Sequence, residues 1–252
     1  MSRVPGGRAM KGAVAIEGEL TLNPVSRRLL YRIGGFAAWA YVALVALAIA
    51  LLFIAPVPPA GGTALLTYVA DHRAVYIVEL ACFVGLAVPG LIAFAALAVA
   101  LWDADRSLAL LGGVLGVASE TAALAVGGSP QSLHGGVMLL ADAYAAATDP
   151  ATRTALVGAA DALASAVNGA PWAGILTAAA IGVLSLLGGR GGLGRAFGAV
   201  GLATGVLGIV SEAVRPLIGP AYLLYGLLLP LWFAQVGVRL LRLAGQPSGA
   251  AL

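Results

Sequence analysis

Apolar and polar positions alternate along this chain on the scale of a bilayer rather than of a single helical turn. Six apolar runs, at 34–57, 74–101, 107–128, 170–188, 196–215 and 220–241, are separated by polar, glycine-bearing or proline-bearing stretches. A helix needs about 20 predominantly apolar residues to cross the hydrocarbon core, so each run predicts one membrane span. The first is closed by Pro56, Pro58 and Pro59, and the second carries Pro89-Gly90, where a kink is expected. Its apolar length exceeds the core of about 7–15 residues of a secretory signal, so the first run is expected to be an uncleaved anchor.

The stretch 129–169, between the third and fourth runs, has a shorter period. Leu133, Val137, Leu140 and Tyr144 recur at helical spacing, as do Leu156, Leu163 and Val167. Asp149-Pro150 between the two sets has the form of an N-cap followed by a first helical residue. Two amphipathic helices are therefore expected outside the bilayer, as a lid on the bundle or as a gate or docking surface. "GTALLTYVADH", between the first two runs, predicts one more short helix. The predicted fold is all-α: a polytopic six-transmembrane-helix bundle with an extracytoplasmic amphipathic helical hairpin between spans three and four.

Composition agrees with the pattern. Hydrophobic residues make up 61% and charged residues 10% of the chain, against about 45–50% and about 25% in soluble domains. Arg3, Arg8, Lys11, Arg27, Arg28 and Arg32 precede the first span, and Arg106, Arg190, Arg195, Arg239 and Arg242 fall on the same side. Only Arg73, Arg153 and Arg215 of the 14 basic residues remain for the other side. The positive-inside rule then places both termini in the cytoplasm. The expected organisation is a basic cytoplasmic tail over 1–33, a membrane domain over 34–245 and a short cytoplasmic tail over 246–252. Because the basic residues flank spans, the net charge of +3 argues for a lipid bilayer as the partner and not for nucleic acid. The single lysine, Lys11, beside many arginines, alanines and glycines suggests a bacterial source.

Candidate chemistry is sparse. Gly113-Val-Leu-Gly-Val-Ala-Ser-Glu120 and Gly205-Val-Leu-Gly-Ile-Val-Ser-Glu212 form an internal repeat, each ending in a Ser-Glu pair inside an apolar run. Gly198, Gly201, Gly205 and Gly208 lie on one helical stripe that continues to Glu212, and Ala109, Gly112 and Gly116 lead likewise to Glu120. Small-residue stripes let helices approach closely in lipid, so both acids should face the bundle interior. At about 1.5 Å per residue, Glu120 stands about 21 Å from Arg106 and Glu212 about 25 Å from Arg195, in the outer half of the membrane. Glu79 is expected at a similar depth, with Arg215 three residues after Glu212 available as an ion-pair partner.

Glu79, Glu120, Glu212, Arg215, Ser119 and Ser211 are thus the candidate ligand or proton site. The same residues also fit a purely structural role, with each acid satisfied internally. A non-enzymatic structural, partner-binding or ligand-binding protein and a small permease or proton- or cation-coupled carrier both remain open, as does a homo-oligomer or membrane partner. The internal repeat pairs spans two and three with spans four and five, as in some transporters.

No cofactor, metal or catalytic set is readable. His72 and His134 are the only histidines, both in outer segments, and His134 is expected to be solvated. "GGRGGLGR" lacks the strand and helix context of a phosphate loop, and a lipid-handling enzyme has no visible nucleophile–base pair. Cys82 lies in an apolar run and is expected to be a structural thiol.

"YAAATDPATRTALVGAADAL" in the outer insertion, "RRLLYRIGGFAAWAYV" at the start and "LLLPLWFAQVGVRLLRL" at the end resemble a bacterial six-span family, domain of unknown function 4386. The resemblance spans about residues 27–245. It implies six spans in a bacterial plasma membrane and no activity.

Overall fold

The structure, a computed structural model, describes residues 23–51, 53–127, 134–169 and 172–246. The basic segment around Arg3, Arg8 and Lys11, the entry to the insertion with Leu133 and the last residues of the chain lie outside them. The described residues form helices and turns, with no strand among them.

Six helices are long and apolar enough to cross a membrane, the fourth lying within Pro150–Arg190. They are consistent with a multi-pass membrane protein. The first is α1 (Pro24–Leu51). After α2 (Gly62–Asp71), the second is made by α3 (Arg73–Gly85) and α4 (Ala87–Ala100), and the third is α5 (Arg106–Val126). Helices α6 (Gly135–Ala146) and α7 (Pro150–Gly169) then precede α8 (Trp172–Arg190) and α9 (Arg195–Ala213). The short α10 (Arg215–Ile218) and a 3-10 turn at Gly219–Ala221 lead into α11 (Tyr222–Gly245).

Local chemistry sets most of these boundaries. Asp105 caps α5, its side chain accepting from the Leu108 amide at 3.0 Å, and Gly127 ends that helix with φ 61°, a left-handed conformation that glycine adopts freely. Asp149 caps α7 through the amide and hydroxyl of Thr152, at 2.8 and 2.9 Å. Several boundaries differ from expectation. α1 ends at Leu51 rather than at 57, and α11 runs to Gly245 rather than to 241. α1 begins at Pro24 rather than at 34, because Asn23 accepts from the Val25 amide at 3.1 Å and starts the helix ahead of the arginines. Arg27 then pairs with Asp103 at 2.7 Å, tying the start of α1 to the α4–α5 turn. The second span breaks at Leu86 rather than at Pro89-Gly90. A proline ring crowds the carbonyl four residues before it, which here is that of Gly85, the last residue of α3.

The spans close into a ring in which α1 packs on α4, α4 on α5, α5 on α8, α8 on α9, α9 on α11 and α11 on α1. Phe94, Phe197, Trp232 and Phe233 fill its centre, and the Trp232 indole donates to Ser185 Oγ at 2.8 Å. Polarity is arranged as lipid immersion requires. Leu110, Val114, Val206, Val210, Leu224 and Leu227 are exposed on the outside, whereas Glu79, Ser119, Glu120, Thr204, Ser211 and Glu212 are buried.

A second apolar core lies at the end of the bundle remote from Asn23 and Gln246. There α2, α6 and α7 pack together around Leu65, Leu66, Val69, Val137, Ala141 and Ala160. Arg73 pairs with Asp142 of α6, and the Gly62 amide donates to Asp161 of α7. His134, expected to be solvated, is partly buried. Its Nδ1 caps α6 by accepting from the Gly136 amide at 2.9 Å, and its backbone amide donates to the Tyr76 hydroxyl at 3.0 Å.

Candidate functional site

The two acids of the repeated Ser-Glu pairs are brought to one cavity. Glu120, near the end of α5, is 3% exposed, and Glu212, near the end of α9, is 2% exposed. Both line a cavity of about 140 Å³ in the half of the bundle remote from the described termini.

Glycines on the neighbouring helices make room for these carboxylates. A Cβ built on Gly90 of α4 would stand 2.8 Å from the carboxyl carbon of Glu120. A Cβ on Gly174 of α8 would collide with the carboxylate of Glu212. The packing continues in step below each acid. A Cβ on Gly116 would strike Phe94, and one on Gly113 would lie 2.7 Å from Ala98. Likewise Gly208 stands against Ala178, and Gly205 against Gly182. The small-residue stripes of α5 and α9 thus face neighbouring helices: Gly116 meets Phe94 of α4 and Gly112 meets Leu184 of α8, while Gly205 and Gly208 meet α8.

The surroundings of the two acids differ. Glu212 forms an ion pair with Arg215 and accepts a hydrogen bond from the Tyr222 hydroxyl at 2.7 Å. The Arg215 guanidinium lies over the Tyr222 ring, 5.3 Å from its centre. Glu120 has no hydrogen bond and no ion pair among the described residues, and its side chain borders the cavity directly. An ionised carboxylate held this way would carry a desolvation cost of several kcal/mol, which no described residue offsets.

The remaining wall is amphipathic. Tyr41, Tyr225 and Thr177 supply rings and hydroxyls, while Leu86, Ala123 and Val126 supply apolar surface. Val167, from the last turns of α7, closes one side, so the insertion contributes to the cavity. Tyr41 stacks on Phe233 at 3.7 Å between ring centres, and Tyr222 meets Tyr225 edge-on at 5.8 Å. These contacts fix the aromatic wall.

Of the sequence candidates, Glu120, Glu212 and Arg215 come together. Ser119 and Ser211 are buried beside the acids but do not line the cavity, and Ser119 Oγ donates to the Gly116 carbonyl at 2.7 Å within its own helix. Glu79 does not join them: both its carboxylate oxygens are buried without a hydrogen-bond partner, away from this cavity. Arg73 is engaged by Asp142 instead. Tyr41, Tyr222, Tyr225, Gly90 and Gly174 were not singled out by sequence. Among the described residues no three His, Cys, Asp or Glu side chains form a metal-binding group. Comparison with known proteins finds no family model, no curated protein and no solved structure that matches the chain.

Proposed function

We propose that this chain is a non-enzymatic, multi-pass protein of a bacterial plasma membrane that binds a small ligand in the cavity shared by Glu120 and Glu212. Both termini are cytoplasmic in this reading, and α6 and α7 form an extracytoplasmic hairpin over the cavity. The observation that carries it is Glu120: a buried carboxyl group without a partner among the described residues, bordering a cavity with an amphipathic wall. Glu212 in the same cavity is satisfied by Arg215 and Tyr222, and Glu79, which also lacks a partner among the described residues, does not line this cavity. The asymmetry of basic residues supports the orientation, and the six long apolar helices support the membrane.

A carrier is the second reading, favoured by the likeness of the two hairpins. Gly90, Phe94 and Ala98 stand toward α5 as Gly174, Ala178 and Gly182 stand toward α9, which extends the internal repeat to both helices of each hairpin.

Reporter fusions at residues 145 and 192 test the topology, and should report outside and inside respectively. Binding is tested by thermal unfolding of the purified protein with 1-butanol, n-butylammonium and butyrate, beside an Ala173→Phe variant that fills the cavity. At least one probe should stabilise the unsubstituted protein and not the filled variant. Equal behaviour of both proteins toward all three would overturn the ligand-binding reading.

A further inference from the structure

We propose that the ligand is a small organic monocation whose ammonium or guanidinium group pairs with Glu120, in the place that an arginine takes beside Glu212. This rests on the ligand-binding reading above and names the chemical class that the site selects.

The two halves of the cavity differ in how their acid is paired. Across the junction of α9 and α10 the sequence Ser211-Glu212-Ala213-Val214-Arg215 places a guanidinium three residues beyond the acid, and the two pair. In α5 the matching stretch is Ser119-Glu120-Thr121-Ala122-Ala123, and Ala123 stands where the arginine would be. Ala123 lines the cavity next to Glu120. The pocket walls therefore carry two carboxylates and one guanidinium, and the arginine is already committed to Glu212. When Glu120 is ionised, one negative charge is left, on a side chain 3% exposed with no partner among the described residues. A ligand bearing one positive charge completes the balance. A neutral ligand leaves the carboxylate unpaired, and an anion adds repulsion.

Size and wall chemistry narrow the class further. An engineered apolar cavity of about 150 Å³ holds benzene, so about 140 Å³ suits a molecule of roughly six non-hydrogen atoms. Tyr41 and Tyr225 offer ring faces and edges to a cation, whereas the Tyr222 ring is already taken by Arg215. Leu86, Val126 and Leu229 suit a short hydrocarbon tail. A bare inorganic cation would use none of this apolar wall. A proton on Glu120 would neutralise the charge but would make no contact with the rings.

The test measures binding of n-butylammonium, 1-butanol and butyrate by thermal unfolding at matched ionic strength. It uses the unsubstituted protein and the Glu120→Gln, Ala123→Arg and Ala173→Phe variants. The proposal expects saturable stabilisation by n-butylammonium, with 1-butanol and butyrate weaker by roughly tenfold or more. Glu120→Gln should reduce n-butylammonium binding by a similar factor. Ala123→Arg should abolish it by supplying the missing cation from the protein itself. If Ala123→Arg does not accumulate, Glu120→Gln carries the same comparison with little change of shape.

Binding of 1-butanol or butyrate as tight as that of n-butylammonium, lost in Ala173→Phe, would overturn the charge assignment and leave the ligand-binding reading standing. Stabilisation by n-butylammonium that survives Glu120→Gln would overturn it too. No Ala173-dependent binding of any probe would overturn both.

Discussion

Gly90 on α4 faces the carboxylate of Glu120 on α5 so closely that a Cβ there would lie 2.8 Å from the carboxyl carbon. A glycine opposite a buried acid gives the side chain its position without giving it a partner. Gly90→Ala should therefore displace Glu120 and destabilise the protein by about 1–3 kcal/mol, the usual cost of overpacking. Adding Glu120→Ala should recover much of the loss. A double-mutant cycle in reversible unfolding measures this, and additive single effects would show that the two residues are not coupled.

Gly205 on α9 stands directly against the backbone of α8. A side chain there meets backbone, at 2.8 Å from the Ala178 carbonyl and 2.9 Å from Gly182 Cα, so no rotamer relieves it. Gly205→Leu should cost at or above the upper end of about 1–3 kcal/mol, or prevent accumulation. Gly226 on α11 has nothing within 4 Å of its would-be Cβ, so Gly226→Ala should be neutral or mildly stabilising through helix propensity. Equal tolerance at both positions would show that the stripe does not pack.

Outside the bundle, the Thr152 amide and hydroxyl hold the Asp149 carboxyl below the ordinary carboxylate range. The folded state thus favours the ionised form. Its contribution is full above the pKa of the unfolded chain and is lost as pH falls through the lower, folded value. Asp149→Ala should raise amide exchange in the first turn of α7 at neutral pH. The difference from the unsubstituted protein should shrink under strong acid. A difference that grows on acidification would contradict the cap.

The spans and the Asp149-Pro150 helix start were legible because length and capping act locally. The start of α1 was missed because arginines mark a membrane edge and not a helix end, although Asn23-Pro24 carries the signal. The break at Leu86 was displaced because proline acts on the carbonyl one turn before it. Joining Glu120 to Glu212 was legible from matching stripes and matching depth. Glu79 was expected at a comparable depth, but depth says nothing about rotation around the helix axis, and Glu79 does not line the cavity. Gly90, Gly174, Tyr41 and Tyr225 depend on the register between helices, which no local pattern encodes.

The central claim is that Glu120 makes this cavity selective for cations, and charge-selective labelling tests it most directly. Ala123 lines the cavity and Cys82 is the one native cysteine, so Ala123→Cys in a Cys82→Ser background reports on the site alone. The account predicts that a cationic aminoethyl methanethiosulfonate modifies this cysteine roughly tenfold or more faster than its anionic sulfonatoethyl counterpart. Glu120→Gln should remove the preference. Equal rates for the two reagents, or a preference untouched by Glu120→Gln, would contradict it.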